Sequence, residues 1–301
     1  MIYHSLRYLR PLFVIGLLVL LTLTFLFSHA NNNNVTAINS RAAASRVCSH
    51  RASVGGGTSP STETELAAAL HYLSSQGILC YDVDIIAAKD GTIVVSHPSS
   101  TTLNSNTITL PVFLQTLSSL SPGITLATAT LELNGALRGD VVFAQELVKQ
   151  ARNAGVLDQI AVDGLPKIME KEFNIAVPLR DRPSSPGGSI CGLPIGWKEG
   201  SSDTDMIAAI ESVTFIISEA HVLQPSLKCL HYEPVREALK IWKSTKTTGS
   251  GSVGGLGMIQ VWIVDTEEHV RNVLKDSGDL NIHFISNEPV EIKKILASAK
   301  L

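Results

Sequence analysis

The sequence has little charge and few aromatic side chains, 17% and 5% of its 301 residues, and its net charge is only −3. A protein that tracks nucleic acid needs a basic field to displace counterions, and none exists here, which argues against a nucleic-acid partner. No collagen-like period, heptad array or repeat of 20–50 residues is present, so fibrous and solenoid architectures drop out. No G-x-G-x-x-G follows the first strand-like run, and a dinucleotide site has no support. Gly55-Gly56-Gly57 lacks the lysine of a phosphate loop and reads as plain flexible chain. The four cysteines, Cys48, Cys80, Cys191 and Cys229, do not have zinc-site spacing. Their even number allows bridges in an oxidising compartment, while buried free thiols remain an equal alternative. What the chain does have is apolar content: 45% hydrophobic residues, enough for a packed core and too many for wholesale disorder.

The N-terminus differs from the rest. Arg7 and Arg10 precede an uncharged run at residues 11–27, and Ser28-His29-Ala30 offers small residues to a signal peptidase. Residues 1–30 therefore read as a signal peptide or a signal-anchor transmembrane helix, touching the membrane through residues 11–27 if uncleaved. Either reading puts the body outside the cytosol, membrane-anchored with a lumenal or extracellular domain, or secreted. Residues 31–45 are small and polar and read as a flexible stalk with a glycosylation sequon at Asn34-Val35-Thr36. Residues 46–301 form the body.

Within the body, β-type runs alternate with amphipathic ones. Strands are expected at 46–50, 79–86, 92–96, 124–133, 159–163, 212–218, 258–265 and 281–286. Helices are expected at 62–76, 110–120, 140–154, 233–243, 267–275 and 289–299. Residues 176–205 read as loop, and 244–257 as a Gly/Ser-rich connection. Strand–helix repetition implies parallel pairing with right-handed crossovers. Up to eight units over this length predict an α/β fold, a (β/α)8 TIM barrel, with an open doubly wound sheet as the runner-up.

Catalytic groups of such barrels sit where strands end. The first strand ends in His50-Arg51, the second carries Asp82-Val83-Asp84, the returning run ends in His97-Pro98, and a later strand carries Glu132 followed by Asn134. Side chains at i and i+2 share a face, so Asp82 and Asp84 point one way from an apolar run. Two buried carboxylates repel, and a hard divalent cation relieves them, with Glu132 a third oxygen ligand. The alternative is that these acids are surface residues of an edge strand or loop. Two imidazoles near working pH make a general base and a general acid, and Arg51 has the planar fork that holds phosphate oxygens.

These residues, in this order, resemble the glycerophosphodiester phosphodiesterase family, whose signature runs His-Arg-Gly, Glu-x-Asp, Asp-Gly, His-Asp. Here the line is His50-Arg51-Ala52, Asp82-Val83-Asp84, Asp90-Gly91 and His97-Pro98. Leu131-Glu132-Leu133-Asn134 is similar to the Glu-x-Lys strand, Trp262-Ile263-Val264-Asp265 to Trp-Thr-Val-Asn, and Ser286-Asn287-Glu288-Pro289 to the closing Thr-Asp-x-Pro. The resemblance implies a metal-dependent phosphodiesterase acting on glycerophosphodiesters or lysophospholipids, small-molecule or lipid phosphodiesters, with one Mg2+ or Ca2+. It implies His50 and His97 as the acid/base pair and Asp82, Asp84 and Glu132 as metal ligands. Arg51 and Asn134 stand in the phosphate-binding places, and Trp262 in the substrate pocket. Ala52 replaces a glycine, Asp82 a glutamate, Pro98 an aspartate and Asn134 a lysine. Those departures leave a catalytically inactive barrel, or one that cyclises headgroups like sphingomyelinase D or menorin, as the alternatives.

Overall fold

The computed structural model describes residues 46–97, 107–120, 127–181, 190–193, 220–248, 257–278 and 280–298. The expectations for residues 1–45, the strand at 212–218 and Pro98 lie outside these residues. Among the described residues no helix is long and apolar enough to cross a membrane.

Eight parallel strands close on themselves: β1 (Val47–His50), β2 (Cys80–Ala87), β4 (Thr128–Leu133), β5 (Ile160–Asp163), β6 (Asn174–Leu179), β7 (Val222–Pro225), β8 (Met258–Val261) and β9 (Ile282–Ser286). β1 pairs with both β2 and β9, which closes the barrel and excludes the open doubly wound sheet. The short β3 (Ile93–Val95) returns antiparallel to the end of β2. Outside lie α1 (Glu63–Ser75), α2 (Leu110–Ser119), α3 (Val141–Ala154), α4 (Glu233–Thr248), α5 (Glu267–Ser277) and α6 (Pro289–Ser298). Side-chain caps start three of them. Thr62 Oγ1 accepts from Glu65 N at 3.2 Å, Asp140 Oδ1 from Phe143 N at 2.9 Å, and Thr266 Oγ1 from His269 N at 3.2 Å. Gly155 ends α3 in the left-handed conformation, φ 71°, where only glycine is unstrained.

Two aliphatic shells pack helices onto the barrel. Leu66, Leu70, Phe113, Leu117 and Leu147 of α1–α3 meet Tyr81, Val83, Ile85 and Leu131 of β2 and β4. Leu239 and Trp242 of α4, Val273 of α5 and Ile292 of α6 meet Val47, Ile259 and Phe284. Each such side chain contributes roughly 1.5–3 kcal/mol by leaving water. Strand alternation turns the remaining residues inward. Inside the barrel, Cys48, Cys80 and Ile285 pack with Met258 and Trp262, and Ala161, Ala176 and Val222 pack with Met258.

The cysteines form bridges. Cys48 and Cys80 are register partners on β1 and β2, joined inside the barrel with Cα atoms 4.3 Å apart. Cys191 joins Cys229, tying the turn after β6 to the 3-10 turn Leu227–His231 after β7.

Three expectations are corrected. Residues 174–179, inside or beside the stretch read as loop from 176, are a strand. The β6 ladder to β5 ends at Ile175, so Pro178 sits where the strand is bonded on one side only and does not break it. Val222–Pro225 is a strand that the alternation missed, because Gln224 interrupts its apolar run. Helix α4 runs to Thr248, past the expected end at 243 and into the Gly/Ser-rich connection; the Ser244 and Thr245 hydroxyls turn back onto Ile241 O and Trp242 O, both at 2.7 Å.

Candidate active site

The site is assembled at the C-terminal mouth of the barrel. β1 ends at His50, and the chain then turns through Arg51 and Ala52 at φ 56° and 55°. Ala52, which stands where the resembled family has glycine, is buried and left-handed, at a cost of about 1–2 kcal/mol. Local bonds hold the turn: Ser53 N donates to His50 O at 3.0 Å, Ser49 Oγ to Ser53 O at 2.7 Å, and Arg51 N to Asp82 O at 2.6 Å. Gly56, in the stretch expected to be plain flexible chain, donates its N–H to Glu288 Oε1 at 2.5 Å, so this loop is fastened to the one after β9.

The acids form a row. Asp84 is the register partner of Glu132, and Glu132 of Asp163, on β2, β4 and β5. Parallel register partners point the same way, so three carboxylates stand side by side, with Asp82 one level deeper. Each member of the row has a guanidinium. Arg51 Nε lies 3.3 Å from Asp84 Oδ2, an ion pair outside hydrogen-bond geometry. Arg180 Nη2 donates to Glu132 Oε1 at 2.6 Å and Arg138 Nη2 to Asp163 Oδ2 at 2.5 Å. Asp82 instead accepts from Gln224 Nε2 at 2.9 Å. Burial pushes the Asp82 carboxyl up to about 7, with Glu132 and Asp84 adding repulsion and the Gln224 bond opposing. Burial, then Glu132, also raises Asp84, against Arg51 and the two imidazoles His97 and His50.

Beneath Asp82 runs a buried polar chain. Gln224 Nε2 also donates to Gln260 Oε1 at 3.0 Å, which accepts from Thr130 Oγ1 at 3.1 Å; Gln260 Nε2 faces Cys80 Sγ at 3.4 Å. The interior disulfide and the deepest acid are thus joined through two glutamines.

His97 follows β3, and Ser96 N donates to Asp84 O at 3.1 Å, which seats this histidine beside the acid row. Arg51, Asp84 and His97 line one small cavity. His50 Nδ1 lies 2.8 Å from Asn287 Oδ1, and burial, above all, lowers its pKa. Asn134 turns its Nδ2 to Asp84 Oδ1 at 2.9 Å and Glu132 O at 3.1 Å, so its amide hydrogens serve the acid row. Trp262 Nε1 donates to Gln224 O at 2.9 Å, and the Arg180 guanidinium lies over its ring, 5.2 Å from the centroid.

The donor set suits a hard divalent ion: three inward carboxylates, with Asp82 raised by burial and by its neighbours' charge. As the side chains stand, Arg51 and Arg180 take the outer oxygens of Asp84 and Glu132. Among the described residues no group of three or more His, Cys, Asp or Glu side chains is drawn together to hold a metal ion.

No family model matches the chain, and no curated protein matches it. Solved structures do. A glycerophosphodiester phosphodiesterase from Parabacteroides distasonis is 16% identical with a TM-score of 0.53, over 85% of this chain and 98% of that one. Another, from Agrobacterium tumefaciens, is 15% identical with a TM-score of 0.52, over 84% of this chain and all (100%) of that one. The fold is that of the glycerophosphodiester phosphodiesterases.

On the glycerophosphodiester phosphodiesterase fold, the strand ends bring His50, Arg51, Asp82, Asp84, His97, Glu132, Asn134 and Trp262 to one mouth. They also bring residues the sequence reading did not single out. Asp163 closes a strand that was expected, and its position at a barrel strand end was a usable signal. Asp265 and Asn287 lie in the two closing motifs. Arg180, Gln224 and Gln260 had no such signal, because the strands that precede or carry the first two were not recognised.

Proposed function

We propose that the chain is a phosphodiesterase hydrolysing glycerophosphodiesters or lysophospholipids, with His50 and His97 as its acid/base pair. The observation that carries this reading is that two imidazoles meet the acids at one barrel mouth: His50 ends β1 as the register partner of Asp82, and His97 lines one cavity with Arg51 and Asp84. Proton transfer at the attacking water and at the leaving alcohol needs two such groups near neutrality. Arg51 and Arg180, beside Asp84 and Glu132, would offer positive charge to the phosphoryl oxygens, Arg180 in place of the charge that Asn134 lacks. Trp262, with the Arg180 guanidinium over its ring, would form a wall of the substrate pocket. Asp82, Asp84 and Glu132 would hold one Mg2+ or Ca2+, which when bound neutralises a non-bridging phosphate oxygen. Such an ion competes with Arg180 for Glu132. Two disulfides suit a body outside the cytosol, secreted or anchored through residues 11–27.

A second reading is favoured by the 2.6 Å grip of Arg180 on Glu132: a binding barrel whose metal site is closed by an arginine. The test is turnover by the purified chain on glycerophosphocholine and lysophosphatidylcholine, with Mg2+, Ca2+ or chelator. Chelator-sensitive release of alcohol and a linear phosphomonoester is expected. A cyclic phosphate product replaces hydrolysis with headgroup cyclisation, and a folded sample without turnover on either substrate selects the binding barrel.

A further inference from the structure

His50 is held by a chain of hydrogen bonds whose directions follow from the chemistry of the partners. Asp265, just after β8, accepts at Oδ1 from Ser286 Oγ at 2.9 Å and from the backbone N–H of Asn287 at 2.7 Å. Its Oδ2 lies 2.7 Å from Asn287 Nδ2. An ionised carboxylate only accepts, so the Asn287 amide must offer its NH2 group to Asp265. The amide oxygen is thereby turned to His50, 2.8 Å from Nδ1. A carbonyl oxygen also only accepts, so the proton of a neutral His50 resides on Nδ1. Nε2 then carries the lone pair.

We propose that Asp265 and Asn287 are positioning residues that lock His50 in its Nδ1–H tautomer, which makes Nε2 of His50 the general base and leaves the general acid to His97. The division of labour rests on the phosphodiesterase reading above; the tautomer lock does not. The lock is built from an amide rather than a second carboxylate. A carboxylate directly on Nδ1 would favour imidazolium, whereas a neutral oxygen orients the ring without adding charge beside it. Asp265 stays one side chain removed, at the far end of the amide. The two positions carry the Asn and Asp of the resembled closing motifs in exchanged order, which suggests a direct test by exchange.

The experiment uses the whole chain labelled with 15N at histidine, above the pH range of histidine titration, with His50 resonances assigned by their loss in His50→Gln. Long-range 1H–15N correlation reads the tautomer. The expected result is a protonated Nδ1 and an unprotonated Nε2 in the unaltered chain. In Asn287→Leu this should give way to the Nε2–H form ordinary for free imidazole. Asp265→Asn, which lets the Asn287 amide flip, should mix the two forms, and it decides the matter should Asn287→Leu not fold. The exchanged pair Asp265→Asn/Asn287→Asp again presents an acceptor to Nδ1 and should restore the first pattern. In turnover, Asn287→Leu should lower kcat about 100-fold with KM within about twofold, and the exchanged pair should recover most of it. An Nε2–H tautomer in the unaltered chain, or an unmoved tautomer in both single variants, overturns the lock. Absence of turnover with the lock intact overturns the phosphodiesterase reading alone.

Discussion

Along β2, β4 and β5 the inward positions near the mouth are acids: Asp82, Asp84, Glu132 and Asp163. Across the barrel, β7 and β8 carry the amides Gln224 and Gln260, with Trp262 and Arg180 just beyond the strand ends. The outer faces of the two halves are alike, aliphatic rows under amphipathic helices. The difference therefore lies wholly in the interior, where one wall concentrates negative charge and the other orients it. Arg180 spans the gap to Glu132, and Gln224 the gap to Asp82. Charge is placed by one half of the molecule and its direction is set by the other.

The comparison is broken most severely at the acid half's two histidines. His50→Ala or His97→Ala should each lower kcat by about 10²–10⁴-fold while circular dichroism is unchanged. Retained turnover in both variants would remove them from the chemistry.

The disulfides sharpen the contrast between halves. Opening Cys191–Cys229 by double serine substitution should cost about 3 kcal/mol in denaturant unfolding, and a similar figure applies to Cys48–Cys80. Only the second should also depress kcat, because it removes the sulfur against which Gln260 is set and, through Gln224, loosens Asp82. Equal effects on activity from both pairs would refute the chain of amides as an orienting device.

Asp82 gives a pH signature. Its carboxyl is near 7 in the folded chain and 3.8 as the ordinary value. Between those values the folded state keeps a proton that the unfolded state releases, so stability falls as pH rises from about 4 to 7. Asp82→Asn keeps an acceptor for Gln224 and cannot ionise. It should melt about 5 °C above the parent at pH 8 and no higher at pH 3. A gain of the same size at both values would point to packing instead of charge.

The smallest effect is expected across the gap. Arg180→Ala should raise KM about tenfold. It should also increase the thermal shift given by Mg2+ or Ca2+, since Glu132 is released. An unchanged metal response would mean that the arginine does not guard the acid row.

How much was legible in advance follows the same divide. His50, Asp82, Asp84 and Glu132 stand in or at the end of short apolar runs whose period-2 pattern is local, and Thr62, Asp140 and Thr266 announce helices within four residues. Residues 174–179 and 222–225 were lost because a proline and a glutamine interrupt the apolar pattern that marks a strand. The amide chain was invisible for a different reason: Gln224 meets Asp82 across 142 positions of sequence, and Gln260 meets Cys80 across 180. A pairing of that range is a property of barrel closure, and no local pattern encodes it.

The Cys48–Cys80 bridge, packed inside the barrel with Ile285 and Met258, has a consequence for traffic. It occupies the interior beyond Gln224 and Gln260, and the interior of such a barrel is packed core, not a channel, so the acids are approached from the mouth. If the proposed hydrolysis takes place there, its phosphomonoester product would leave along the route by which the next diester arrives. Departure and arrival would then exclude one another, and the tempo of turnover would pass to whichever group holds the spent phosphate longest.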